Sequence, residues 1–280
     1  MANMYSTPID IMKSNINTSH TKGILPFGKL ILLGLMGGIF LGLGAASGIT
    51  AACGAANESS ARLFNSAVFP IGLMLINVCG AEAFVSNGTM SMAVLDRDIT
   101  FGQMLRNLIT VFVTNIIGAM IVAALYFLSG NMSLNNGLLG GYFIKIAIDK
   151  LSFSPLQAIA SGILCGILVS MATMMSCSVK EIGSRLITVW FPVFAFMVAG
   201  FSHCIANLFY IFSGLLAAMN PAFAIRAGES YGVTAEQLMV LKSAELIKNV
   251  IFTSFGNIIG GSLFVGVIYY FIYIKAWHEK

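Results

Sequence analysis

The chain has 280 residues, 58% of them apolar and only 9% charged, with a mean hydropathy of +0.89. A water-soluble domain carries about 25% charged residues, so this chain cannot cover a soluble surface; its excess of Gly (29), Phe (21) and Met (16) suits a polytopic helical membrane protein. The net charge of +4 is scattered over 15 basic residues and forms no nucleic-acid patch.

The first 24 residues are polar, rich in Asn, Ser, Thr and Lys, and show no apolar core of a cleavable signal peptide. They are read as a cytoplasmic segment, residues 1–24, ahead of a single transmembrane domain, residues 25–278. A helix needs about 20 apolar residues to cross a bilayer. Six stretches qualify, near 26–51, 64–95, 104–129, 155–178, 186–217 and 244–276. Polar punctuation separates them: Asn57 to Ser60, Asp96 to Asp98, Asn131 to Asn136, Lys180-Glu181, and a mildly amphipathic segment from about 218 to 243, read as an interfacial helix. Six spans put both termini on one side. With that side cytoplasmic, nine Lys and Arg fall inside and six outside, a modest bias in the sense of the positive-inside rule.

The two halves repeat, with repeat 1 over about 25–130 and repeat 2 over about 154–276. Gly34, Gly38, Gly42 and Ala46 recur every four residues in span 1, and Gly162, Gly166 and Ser170 do so in span 4, at an offset of 128. Such small-residue faces let helices approach closely. Arg62-Leu63 then Phe69-Pro70 in span 2 is echoed by Arg185-Leu186 then Phe191-Pro192 in span 5, and RNLITVFVTNIIG (Arg106 to Gly118) matches KNVIFTSFGNIIG (Lys248 to Gly260) at an offset of 142 without a gap. Three helices per half make the second half start on the opposite face, so the expected fold is all-α: six transmembrane helices in an inverted 3+3 repeat.

Spans 2 and 5 are interrupted. CGAEAFVSNG (Cys79 to Gly88) and AGFSHCIAN (Ala199 to Asn207) each place an Asn, Asn87 or Asn207, seven residues after a Gly, Gly80 or Gly200. Irregular backbone at that depth survives only when buried in protein or lining a cavity, so matched breaks point to a permeation pathway. His203 is the one histidine inside a span and lies in the second break. An intramembrane ionisable residue is a functional candidate by default; the bland alternative is a ring that bonds to broken-helix backbone, and the matched position favours function. Glu82, in the first break, reads as an acceptor for exposed amides rather than a pore group. Lys150 and Lys145, before span 4, are equal candidates for a cation at the outer mouth, where a funnel with low-dielectric walls concentrates anions, though position alone favours reading them as solvated loop lysines. Phe69, Phe84, Phe196 and Phe201 flank the breaks either as constrictions or as packing. The five cysteines form no C-x-x-C pair and indicate neither a metal site nor a disulfide framework; no phosphate loop, nucleophile elbow or cofactor motif is present, which argues against an enzyme.

CGAEAFVSN, GFSHCIANLF (Gly200 to Phe209) and GNIIGG (Gly256 to Gly261) together resemble the formate/nitrite transporter family of formate, nitrite and hydrosulfide channels, over nearly all of the chain from span 1 to span 6. The resemblance implies an aquaporin-like protomer with broken helices 2 and 5, assembled as a homopentamer with one pore per protomer. It implies that His203 is the central pore histidine and proton relay, and that Lys150, now ahead of Lys145, is the anion-attracting lysine of the outer vestibule. Asn207 matches the asparagine after the histidine. Phe84 and Phe196 fall on positions that line the narrow pore, and Phe69 and Leu73 on pore-facing positions before the first break.

The sequence departs from the family at two places. Ala83-Phe84-Val85 stands where formate channels usually carry Leu-Phe-Thr, so Ser86 or a water has to replace the threonine hydroxyl. Gly166 stands where some carry a pore-facing Asn. Both make the constriction less polar and leave formate, nitrite and hydrosulfide as alternatives, with formate first. The expected mechanism is that the anion, gathered by Lys150, takes a proton and crosses as the neutral acid. An aquaporin-type solute channel would carry paired Asn-Pro-Ala motifs, whereas Asn220-Pro221-Ala222 occurs once, outside both breaks.

Overall fold

The computed structural model describes residues 6–241 and 245–275, and every regular element among them is helical. Lys242, His278 and Lys280, and the end of the expected domain at 278, lie outside the described residues. Thr7 starts α1 (Pro8–Gly23) with a capping box: its hydroxyl accepts the Asp10 N–H while the Asp10 carboxylate accepts its own. Span 1 is α2 (Phe27–Ala52). Span 2 is α3 (Glu58–Val68) and α4 (Ile71–Cys79), then a break, a 3-10 turn over Ser86–Met90 and the short α5 (Ser91–Leu95). The polar run before it is the helix cap itself, since the Asn57 side chain accepts the Ser60 N–H, so span 2 begins at Glu58, six residues before the apolar run suggests. Span 3 is α6 (Phe101–Leu128), and a loop with Asn135 and Asn136 at positive φ leads into α7 (Leu138–Leu151). Span 4 is α8 (Pro155–Ser176). Span 5 is α9 (Ile182–Val198) and α10 (Cys204–Ala218). The interfacial segment is α11 (Pro221–Tyr231), bent 113° from α10, and α12 (Ala235–Val240). Asn220 caps α11 by accepting the Ala222 N–H, with Pro221 in the first turn, which gives the single Asn-Pro-Ala a local structural role. Span 6 is α13 (Glu245–Ile259), continued by wider π turns over Gly260–Val267 and Tyr270–Lys275.

Two crossings organise the bundle. α2 packs on α6, and α8 on α13, through the glycine rows: a Cβ on Gly38 would collide with the Asn115 carbonyl oxygen, and one on Gly166 with that of Asn257. Gly166, expected on the pore wall, packs against α13 backbone at a helix contact, where no side chain fits at this helix separation. The apolar residues left exposed, such as Leu32, Ile109, Leu125, Leu156, Ile251 and Phe255, lie on the spans, as surfaces facing lipid or another subunit do.

α1 was expected outside the transmembrane domain, yet it is packed into it. Met12 and Ile16 are buried, and the Asn15 side-chain amide donates to the Thr89 hydroxyl (3.2 Å), beside α5. α7 lies against α10 in the same manner. Each half thus holds an amphipathic helix laid on its broken span, in addition to three membrane helices.

Candidate functional site

Both breaks are built alike. α4 ends at Gly80 (φ 82°), with the Ala81 N–H donating back to the Ile76 carbonyl; α9 ends at Gly200 (φ 80°), with the Phe201 N–H donating to the Phe196 carbonyl. This is the six-to-one closure of a helix end, and its left-handed residue falls to glycine. The freed backbone is then held by one asparagine per half. Asn115 on α6 accepts the Phe84 N–H (3.0 Å) and donates its amide to the carbonyls of Gly34 (2.6 Å) and Glu82 (2.9 Å). Asn257 on α13 accepts the Cys204 N–H (3.0 Å) and donates to Gly162 (2.8 Å) and Ser202 (2.9 Å). Buried polar backbone must be paired, and these two side chains pair it at both breaks.

A second ring of asparagines follows. The Asn87 side-chain amide donates to Asn107 Oδ1 (2.8 Å), and the Asn207 side-chain amide to Asn249 Oδ1 (3.1 Å). Asn107 in turn donates to the Lys22 carbonyl (3.4 Å), and Asn249 to the Lys150 carbonyl (2.6 Å). Lys22 and Lys150, one near the end of α1 and one near the end of α7, therefore occupy equivalent places in the two halves. Their surroundings differ. The Lys22 ammonium donates to Asn87 Oδ1 (2.7 Å) and pairs with Glu82 (3.3 Å), whose carboxylate also accepts the Asn87 amide (2.6 Å). Glu82 thus serves a lysine and an asparagine; the amide-accepting role expected of it belongs to Asn115.

On the α7 side, a cavity of ≈ 850 Å³ opens between Lys150, Lys145, Arg62, Phe153, Phe201 and His203. Lys145 pairs with Asp149 and, at 3.8 Å, with Glu58. The Lys150 ammonium lies 5.8 Å from the Phe153 ring centre. His203 is 3% exposed and lines the same cavity. Its Nδ1 accepts the Ala206 N–H (3.4 Å) and so caps α10. In a neutral ring, that leaves Nε2–H as the free donor. The N-terminal end of α10, which favours negative charge, starts at the same point. Phe196 stacks over the imidazole (6.1 Å between centroids) and meets Phe69 edge-on (5.8 Å), so three rings line up across the two broken spans.

Leu73, Ala83, Phe84, Val85, Ser86 and Asn207 are buried. Leu73 lies one turn beyond Phe69 on α4. Ala83, Phe84 and Val85 form the first break, with the Phe84 ring against Phe112 of α6 (4.7 Å). The Ser86 hydroxyl donates to the Ala83 carbonyl (3.0 Å), within the break's own turn. Sequence reasoning passed over Lys22, Asn107, Asn249, Asn115 and Asn257. The four asparagines sit inside the segments matched at offset 142, and Lys22 stands 128 residues before Lys150, the offset that relates Gly34 to Gly162.

Comparison with known proteins agrees with this geometry. The sequence model of the formate/nitrite transporter family matches residues 9–271. The chain belongs to the formate/nitrite transporter family. It is 32% identical over 251 residues to the formate channel FocA of Escherichia coli (strain K12), covering 88% of this chain and 87% of that one. It is 32% identical over 277 residues to the transporter YrhG of Bacillus subtilis (strain 168), covering 97% and 95%. A solved pentameric formate channel with formate bound superposes with a TM-score of 0.76 at 28% identity, covering 89% of this chain and 98% of that one. The chain is accordingly a multi-pass membrane channel or transporter of this family, and these relatives are named as channels and transporters, not as enzymes.

Proposed function

We propose that this protein conducts small monovalent weak-acid anions, formate first, through a pore in each protomer of a homopentamer in the cell membrane, with both termini cytoplasmic. The observation that carries the reading is His203 at the N-terminus of broken α10, lining a cavity that Lys150 also lines. A bare anion at the bilayer centre faces a cost on the order of several kcal/mol, and a weak-acid anion avoids most of it by becoming neutral. In this mechanism Lys150 gathers the anion in the vestibule. The aromatic girdle of Phe69 and Phe196 excludes water, Nε2–H of His203 donates a hydrogen bond to the anion, and a proton drawn from bulk-connected water, either directly or through the ring with the ring reprotonated by that water in the same relay, lets the neutral acid cross. Leu73, Ala83, Phe84, Val85 and Ser86 form the apolar passage on the first-break side, and Asn207 fixes the base of α10. The relatives' names support formate, and the solved pentamer supports the assembly. The positive-inside bias supports the orientation.

The test is uptake into proteoliposomes, comparing formate, nitrite and hydrosulfide at acid and neutral pH. Formate flux is expected to rise with external acidity and to lose that dependence in His203→Asn. A hydrosulfide preference would instead assign the apolar first break, which lacks a hydroxyl at Val85, to that smaller anion. Pentamer mass in detergent by light scattering checks the assembly.

A further inference from the structure

The two breaks share their backbone closure and asparagine clamps and differ at two ionisable positions, Glu82 opposite Ser202 and Ala83 opposite His203. Glu82 and Ser202 occupy the same place: each carbonyl accepts from its clamp asparagine, Asn115 or Asn257, and each lies two residues after the positive-φ glycine of its break. Glu82 N–H donates to the Leu33 carbonyl (3.1 Å) and Ser202 N–H to the Ser161 hydroxyl oxygen (2.9 Å), two residues that are again 128 apart although the accepting atoms differ. On the α1 side the carboxylate neutralises Lys22. On the α7 side the Ser202 hydroxyl is fully buried with no hydrogen-bond partner among the described residues, and none of those residues puts a carboxylate within ion-pair distance of Lys150. The cavity beside it carries three basic side chains, Arg62, Lys145 and Lys150, against two acidic ones, Glu58 and Asp149, a surplus of one positive charge.

We propose that Ser202, standing where the mirrored half has Glu82, is a specificity-determining residue that polarises the pore: it leaves Lys150 uncompensated while Lys22 is silenced, so anions load with higher apparent affinity from the Lys150 mouth than from the Lys22 mouth. A carboxylate at 202, placed as Glu82 is, would reach toward Asn207 and Lys150 as Glu82 reaches toward Asn87 and Lys22, and would cancel the attraction. The charge of the mouth, rather than its width, then separates the two faces. The inference rests on the anion-pore reading above.

The experiment measures initial rates of formate uptake against concentration in right-side-out and everted membrane vesicles, at equal pH and without a membrane potential. In the native chain the KM from the Lys150 face is expected to be about tenfold lower than from the Lys22 face, the low end of what a charged funnel achieves. Because a passive pore must have the same Vmax/KM from both faces, Vmax from the Lys150 face should be lower by the same factor. Ser202→Glu should raise KM on the Lys150 face to that of the other face, whereas the isosteric and neutral Ser202→Gln should keep the difference. If the buried glutamate prevents folding, Glu82→Gln reads the same effect from the other end, by freeing Lys22 and lowering KM on its face. Equal KM values on both faces of the native chain would overturn the proposal, as would Ser202→Glu behaving like Ser202→Gln or Glu82→Gln leaving both faces unchanged. Absence of formate uptake in both vesicle types is a different result and overturns the formate reading itself.

Discussion

The break in span 2 and the break in span 5 share a backbone and differ in chemistry. Both are closed by a left-handed glycine, clamped by an asparagine from the third helix of the half, and tied through a second asparagine pair to a lysine on an amphipathic helix. Where the first break has Glu82 and Ala83, the second has Ser202 and His203. The shared parts satisfy backbone that has left its helix at a depth where water is not available, and that need is the same in either half. The unshared parts are the ionisable ones. A symmetric scaffold that carries an acid in one break and an imidazole in the other is chemically asymmetric, and the proposed directional loading rests on that asymmetry.

The comparison is broken most forcefully by removing a clamp. Asn115→Leu leaves the Phe84 N–H and the Glu82 carbonyl buried without partners, and Asn257→Leu does the same to the Cys204 N–H and the Ser202 carbonyl. At about 1–3 kcal/mol for each buried polar group left unpaired, each variant should lose about 2–6 kcal/mol, read as a large drop in thermal midpoint in detergent. The two losses should be similar. If one variant melted like the native protein, the clamps would not be equivalent structural parts.

A smaller effect comes from the helix crossings. Gly38→Ala and Gly166→Ala each put a methyl group against backbone carbonyl, of Asn115 and Asn257 respectively, where no flexible side chain can give way. The two helices must separate, at a cost of about 1–3 kcal/mol typical of overpacking. Since each crossing also positions its clamp asparagine, flux should fall along with stability. A Gly166→Ala protein with native stability and altered anion selectivity would restore the pore-facing reading of Gly166.

Much of this architecture is legible in the residues alone. Apolar runs, glycine rows and Gly-to-Asn spacings mark the six spans and both breaks, because bilayer thickness and helix geometry write themselves into composition. α1 is harder to see. Its sequence is polar, and only one face, with Met12 and Ile16, is covered, so composition reads it as a solvated segment. Lys22 was lost with it. Asn115 and Asn257 stood in plain view within matched segments, but a lone asparagine in a helix has no signature until the carbonyls it serves come from another part of the chain. Gly166 shows the converse: at a crossing where only backbone fits, the side chain a relative carries says little about which way this position faces.

The subtlest contrast lies at the two helix starts that lead into the breaks. α3 is capped by Asn57, whose side-chain oxygen accepts the Ser60 N–H (2.9 Å), and α9 by Glu181, whose carboxylate accepts the N–H groups of Ser184 (2.6 Å) and Gly183 (2.7 Å). An amide cap does not titrate, but a carboxylate cap does. The Ser184 and Gly183 amides hold the Glu181 carboxyl below its ordinary 4.5. A group whose pKa is depressed on folding contributes fully above its unfolded value and loses that contribution as pH falls through the folded one. Hydrogen-exchange protection at Gly183 and Ser184 should therefore fall as pH drops below 4.5, while that at Ser60 holds, and Glu181→Gln should remove the pH dependence at the first two. The effect is local and small, because both caps are exposed to water. A parallel loss of protection at Ser60 would mean that acid acts on the fold as a whole, and the two halves would then differ only within the pore.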